Sequence, residues 1–302
     1  MTAPILLLGP NGQVGSALRQ ALAPLGPLVA WDRAQGGDLA QPQRLREAVL
    51  ALQPRAIVNA AAYTAVDRAE TDPAGAELIN AQAPAALAEA ARDLDIQLVH
   101  YSTDYVFSGQ GTQAWREDDA TAPLNVYGQT KRHGEEAISS TAPRHLIFRT
   151  SWVYGLLGSN FAKTMVRLAL QRERLQVVSD QVGAPTGAAL IAEVTAHALR
   201  QAWAGQLASG TYHLAAAGAC SWHDYATHVI ARARALRPDW AWAVREIAAV
   251  DSSAFETAAQ RPLNSRLSTA KLSQATGLQM PAWQAGVDHM LETWLRVQAP
   301  EV

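Results

Sequence analysis

Ile5-Leu6-Leu7-Leu8-Gly9-Pro10-Asn11-Gly12-Gln13-Val14-Gly15 decides the fold. Four consecutive apolar residues read as a short strand buried on both faces. The glycines that follow, spaced G-x-x-G-x-x-G, read as a tight turn opening a helix over residues 12–22. Glycine lets backbone approach a pyrophosphate, and a helix start offers that anion free N–H groups and the positive end of its dipole. Gly9, Gly12 and Gly15 are therefore candidate cofactor-binding residues. The same glycines also suit a purely structural turn, but the order strand, turn, helix is what the binding motif requires.

Outward from that turn, short apolar runs alternate with helical patterns as far as Phe148. Strands are expected at Leu28–Trp31, Ala56–Asn59, Gln97–Tyr101 and His145–Phe148, each apolar on both faces. Helices are expected at Gln43–Leu52, Ala74–Leu94 and from near Asn125. The pattern predicts an α/β fold, a doubly wound parallel (Rossmann) sheet. After about Trp152 it loosens into helices at Phe161–Gln171, Ala188–Gln201, Trp222–Leu236 and Trp283–Val297, with a short strand at Thr211–Leu214. We expect residues 1–155 to form the dinucleotide-binding domain, with segments near 188–215 returning to it. Residues 156–302 would form a smaller mixed α/β substrate-binding part.

Composition narrows the partners. The 302 residues are 49% hydrophobic and 17% charged, with a formal net charge of −2 and a pI near 6.4. Such a chain has no general attraction to nucleic acid or anionic membrane, so any bound anion must be held by local groups. No run is long enough for a signal or membrane span, and the single Cys220 suits a reducing compartment and a packed position. A soluble, cytoplasmic protein is expected. No His/Cys/carboxylate group has convincing metal-ligand spacing.

Asp32 ends the second strand, where an acidic side chain would accept hydrogen bonds from an adenosine ribose; Arg33, next to it, would instead hold a 2′-phosphate. NADPH and NADH both remain open, and both residues also suit a plain turn. The small residues of Asn59-Ala60-Ala61-Ala62-Tyr63-Thr64 would let a flat cofactor lie close to backbone. Ser102 and Thr103 end another strand, where a hydroxyl can donate to a carbonyl oxygen or cap a turn. Further on, Val126-Tyr127-Gly128-Gln129-Thr130-Lys131 sets a tyrosine four residues before a lysine. On a helix the two share a face, where an ammonium would lower the phenol's pKa and make it a usable acid. His100 and His145, inside apolar strands, read as core histidines, and the tryptophans of the second half as packing.

Together the glycine turn, the Asn-Ala-Ala segment, the strand-end Ser-Thr and the Tyr-x-x-x-Lys pair resemble the extended short-chain dehydrogenase/reductases that act on nucleotide sugars. Within that group STDYVFSG, NVYGQTK, FRTSWVYG, NFAKTM, DQVGAPTG and RPLNSRL resemble the dTDP-4-dehydrorhamnose reductase family, nearly end to end. The glycine turn is shared by the whole superfamily, whereas STDYVF, RTSWVYG and DQVGAPT in that order are close to diagnostic.

The resemblance implies reduction of the C4 ketone of a dTDP-4-dehydro-6-deoxy-L-mannose to dTDP-L-rhamnose, a step feeding polysaccharide biosynthesis. It implies Tyr127 as proton donor, Lys131 as the group that grips the nicotinamide ribose and depresses the tyrosine pKa, and Thr103 as a second donor to the ketone oxygen. It marks Gly12, Gln13, Val14, Asp32, Asp38, Leu39, Ala62, Tyr63 and Thr64 as cofactor positions, and Asp104 and Trp152 as substrate positions. Arg261, Arg266 and Lys163 are candidates for the substrate diphosphate. Mg2+ and a homodimer are associated with such proteins, but no metal ligands match residue by residue. Two rivals share the pattern: a nucleotide-sugar epimerase or dehydratase that keeps its NAD, and a non-catalytic regulatory subunit of the methionine adenosyltransferase type.

Overall fold

The computed structural model describes residues 3–297. In chain order the first half runs β1 (Ile5–Leu8), α1 (Gln13–Leu22), β2 (Leu28–Trp31), α2 (Pro42–Leu52), β3 (Ala56–Asn59), α3 (Val66–Thr71), α4 (Pro73–Glu77), α5 (Ala83–Asp93), β4 (Gln97–Thr103), α6 (Val126–Thr141) and β5 (His145–Thr150). The second runs β6 (Val153–Tyr154), α7 (Phe161–Gln171), β7 (Arg174–Val178), β8 (Val182–Gly183), β9 (Thr186–Gly187), α8 (Ala188–Trp203), β10 (Gly210–His213), β11 (Cys220–Ser221), α9 (Trp222–Leu236), β12 (Glu246–Val250), α10 (Ala270–Thr276) and α11 (Trp283–Arg296).

Six strands pair in the order β2-β1-β3-β4-β5-β10, all parallel. The strands β1 and β3 to β5 are apolar and buried because helices cover both faces. One face packs Leu18 and Leu22 of α1 and Ile191 and Leu199 of α8 against Ile5, Val58 and Phe148. The other packs Leu45, Leu87 and Ile138 against Leu6, Ile57 and Ile147. A third cluster, around Met165, Tyr225, Val229 and Leu291, lies among the helices of the second half. The order reverses beside β1, the switch point at which open α/β sheets bind ligands.

The expected α/β sheet is the one observed, with three differences. β2 is only half-buried along its length, because it forms the sheet's edge. The expected helix Ala74–Leu94 is interrupted by a π-turn at Leu78–Gln82. Pro84 supplies the reason: it has no N–H to give, and its ring would strike the carbonyl four residues back. The widened turn presents the Asn80 carbonyl to α6, where an ideal Cβ on Gly134 would stand 2.1 Å from it. Finally, the parallel pair β7·β12 was not expected, since Arg174–Val178 alternates exposed and buried residues outside the main sheet.

Candidate active site

The turn after β1 is built by close approach. Gly9 sits at φ +73, and an ideal Cβ there would lie 2.8 Å from the Ala61 nitrogen. A Cβ on Gly15 would lie 2.0 Å from the Gly9 carbonyl oxygen, so only glycine lets α1 fold back onto the turn. Gly12, by contrast, has nothing nearer than 3.5 Å. It caps α1 with no side-chain hydrogen bond, which leaves the first N–H groups of the helix facing the cleft.

Two connected clefts lie over this end of the sheet. The first, about 420 Å3, is lined by Gly9, Asn11, Asp32, Arg33, Leu39 and Ala62 among others. Asp32 is already engaged there: Oδ1 accepts from Ala34 N and Gln35 N at 3.0 and 3.1 Å, and Oδ2 accepts from Asn11 Nδ2 at 3.2 Å. Arg33 is exposed beside it. The second cleft, about 640 Å3, continues over Gly12, Gln13, Val14, Thr64, Ser102, Thr103, Asp104, Tyr127, Lys131 and Trp152. Asp38, Tyr63 and Gly15 line neither. Asp38 accepts from Ala40 N and Gln41 Nε2 within its own loop, Tyr63 donates its hydroxyl to Asp72 Oδ2 at 3.2 Å, and Gly15 serves packing.

The strand ends β4 and β5 and the start of α6 carry the candidate reactive groups. Asn125 caps α6, its Oδ1 accepting from Gly128 N at 2.8 Å. Gly128 lets the helix press on the turn after β4, because a Cβ there would stand 2.2 Å from the Tyr105 carbonyl. That contact brings Tyr127 edge-on to Tyr105, with ring centroids 5.7 Å apart. Thr103 Oγ1 accepts from Tyr105 N and donates to Asp104 Oδ1, both at 3.2 Å. Ser102 Oγ and Thr150 Oγ1 are buried without a hydrogen-bond partner among the described residues. Buried polar atoms without partners are expensive, and here they belong to residues that line the cleft. Together with the uncapped helix start, they fit an elongated polar ligand.

The electrostatics correct one expectation. Burial pushes the Tyr127 phenol up to about 12, with the adjacent Thr103 hydroxyl pulling the other way and Asp104 adding to the rise. Lys131 does not lower it here, because its ammonium end is turned elsewhere: Nζ donates to the Tyr101 carbonyl at 2.6 Å and meets His100 Nε2 at 3.1 Å. Burial in turn brings Lys131 down to about 8, against the opposing charge of Glu135. Asp104 is raised to about 7 by burial, with Ser265 and Thr103 hydroxyls opposing.

Trp152, at φ +47, stacks on Trp222 with centroids 3.6 Å apart and planes 12° from parallel. Trp222 lines both this cleft and an adjoining hollow of about 740 Å3, which also takes in Tyr105, Phe161, Gln181 and Arg261. Nothing in the sequence marks Trp222 as more than packing, since it stands 70 residues from its stacking partner. Arg261 is held by Asp67, with Nη1 and Nη2 at 3.1 and 2.5 Å from the carboxylate oxygens. The other cation candidates are not brought here. Lys163 Nζ donates to the Leu156 and Gly158 carbonyls, and Arg266 Nη1 donates to Asn264 Oδ1. Among the described residues no group of three or more His, Cys, Asp or Glu side chains is placed to hold a metal ion.

Residues 2–296 match the family model described as the RmlD substrate binding domain. The chain is 51% identical over 290 residues to a dTDP-4-dehydrorhamnose reductase of Escherichia coli K12, covering 95% of this chain and 96% of that one. The chain belongs to the dTDP-4-dehydrorhamnose reductase family. A Burkholderia thailandensis reductase is 44% identical, over 94% and 96% of the two chains. Among solved structures, the reductase of Clostridium acetobutylicum superposes with a TM-score of 0.88 at 31% identity, covering 97% of this chain and 99% of that one. That of Bacillus anthracis, in complex with NADP, superposes at 0.87 and 33%, covering 96% and 99%. The fold is thus common to this chain and these two solved relatives.

Proposed function

We propose that the chain is an NAD(P)H-dependent oxidoreductase that reduces the C4 ketone of dTDP-4-dehydro-6-deoxy-L-mannose, completing dTDP-L-rhamnose. The observation that carries this reading is the convergence, in one cleft, of an uncapped helix start, the Thr103 hydroxyl, a protonated Tyr127 and a buried Lys131. When bound, the reduced nicotinamide supplies hydride to the ketone carbon. The free N–H groups at the start of α1, with Gly12, Gln13 and Val14, hold the cofactor diphosphate, and the Asp32–Arg33 corner holds its adenosine end. Arg33 is exposed and Asp32 is taken by its own turn, which favours NADPH, as does the NADP complex of the Bacillus anthracis relative.

Tyr127 keeps its proton at neutral pH because burial disfavours the phenolate. As charge grows on the ketone oxygen, that proton becomes transferable, so the residue is selective for the transition state. Asp104 sets what Thr103 can do. While Asp104 accepts the single Thr103 proton, Thr103 has none to give, whereas a protonated Asp104 would free it for the substrate oxygen. Lys131 grips the nicotinamide ribose. Trp152 and Trp222 form a flat wall for the sugar, and Tyr105 and Arg261 lie toward the deoxythymidine diphosphate. Residues 1–155 with 188–215 form the cofactor part, the remaining segments the substrate part, and the chain works in the cytoplasm as a homodimer.

The deciding experiment supplies the 4-keto sugar nucleotide with NADPH and then NADH, following nicotinamide absorbance and the sugar product. Oxidation of NADPH with formation of dTDP-L-rhamnose is expected. No oxidation with either cofactor would refute the proposal.

A further inference from the structure

We propose that Asn59 and His100 are positioning residues: they bias Lys131 towards its uncharged amine and tie its charge to the turn after β3 that faces the cofactor. The inference follows from donors and acceptors. Asn59 Oδ1 accepts from the Ala61 N–H at 3.2 Å, which turns its Nδ2 towards His100 Nδ1, 3.2 Å away. An amide NH2 only donates, so Nδ1 must accept. Burial holds the His100 imidazolium well below the usual histidine range, so the ring is neutral and has one proton. That proton is on Nε2, pointing at Lys131 Nζ 3.1 Å away. An ammonium has no lone pair to receive it; an amine has one, and still donates to the Tyr101 carbonyl.

Charging Lys131 in place therefore reorders the chain. Nζ then donates to His100 Nε2, the ring proton moves to Nδ1, and Asn59 must turn its carbonyl towards it. The turned amide loses its bond from Ala61 N–H, and Ala61 lines both clefts over the sheet switch point. Of the surrounding charges only Glu135 favours the ammonium, and it is shared with an arginine. Glu135, one turn along α6, is bidentate to Arg149 of β5; Glu77 of α4 is paired with His133; Asp104 faces Tyr127 rather than the lysine. Burial brings Lys131 to about 8, so the exchange falls near neutral pH.

The relevance to catalysis rests on the reading of Lys131 as the partner of Tyr127; the hydrogen-bond chain stands in the cofactor-free protein. The test is 15N NMR of the full chain labelled at histidine, from pH 6 to 9.5, with His100→Gln assigning the signal by its loss. We expect the neutral His100 ring to pass from Nδ1–H to Nε2–H as pH rises through about 8. In Asn59→Ala, which adds no charge, that midpoint moves up by about one pH unit, because the donor that fixes Nδ1 as acceptor is gone. In Asn59→Asp the ring stays Nδ1–H throughout. A tautomer that is constant in the native chain, or a midpoint unmoved in both Asn59 variants, overturns the proposal. The same Asn59→Ala shift should appear in the ionisation near pH 8 of kcat/KM; a chain with no reductase activity would remove the proposed function and leave the NMR result to decide the coupling.

Discussion

The two ends of the cleft are made differently. The proposed cofactor end is backbone: Gly9 at positive φ, Gly12 with only the Gly9 carbonyl within van der Waals reach, and α1 with its first N–H groups uncapped, all inside seven consecutive residues. The proposed substrate end is side chain: Trp152 on Trp222, Tyr105 beside Tyr127, Arg261 on Asp67, drawn from segments up to 194 residues apart. A backbone site depends on local conformation and is therefore written in contiguous sequence, whereas a side-chain site exists only once the chain has folded. Tyr127, the proposed acid, sits at the seam, its helix held by Gly128 against the Tyr105 carbonyl.

Removing the acid at that seam should have the largest effect. Tyr127→Phe should lower kcat by about 10²–10⁴-fold while NADPH affinity, followed by nicotinamide fluorescence, stays as in the native chain. Turnover near the native value would mean that another group delivers the proton.

Next comes Asp104, whose carboxyl is raised to about 7 by burial. A raised folded-state value means that the protonated form is favoured by folding, so the native chain loses stability as pH rises from about 4 through 7. Asp104→Asn, which cannot ionise, should match the native chain near pH 4 and exceed it at pH 8 by at most about 4 kcal/mol. Urea melts at the two pH values measure this, and a pH-independent difference would count against a neutral, buried Asp104.

At the backbone end, Gly15→Ala forces a Cβ toward the Gly9 carbonyl. We expect a loss of about 1–3 kcal/mol in stability and weakened NADPH binding in calorimetry, with no effect confined to the sugar nucleotide. At the side-chain end, Trp222→Ala should raise KM for the sugar nucleotide about tenfold, through the lost ring stack of roughly 0.5–1.5 kcal/mol and its area, and leave the NADPH dissociation constant unchanged. If Gly15→Ala altered only sugar binding, or Trp222→Ala only NADPH binding, the division of the cleft would be wrong.

This contrast explains what could be read from sequence. Periodicity located β1, β3, β4 and β5 within two residues, and α7 and α9 at their observed ends, because buried strands and amphipathic helices record their own environment. The π-turn before Pro84 and the β7·β12 pair needed tertiary context. In the site, Thr103, Asp104, Tyr127, Lys131 and Trp152 do share one cleft, whereas Asp38 and Tyr63 turn away into local hydrogen bonds. Sequence alone marks Trp222 only as packing and His100 only as a core histidine, with nothing to indicate its contact with Lys131. A pattern of residue types identifies a family position but not the direction in which its side chain points.

The sheet itself has a late arrival. Five strands are in place by Thr150, but β5 has its outer edge closed only by β10, after 59 intervening residues. On the ribosome, at about 5–20 residues per second, several seconds separate the two. During that interval β5 offers an apolar strand with unpaired backbone groups, the kind of edge that recruits other chains. Nascent chains halted between residues 150 and 210 should therefore be the species most in need of a chaperone, although Thr103, Tyr127 and Lys131 all precede that stretch.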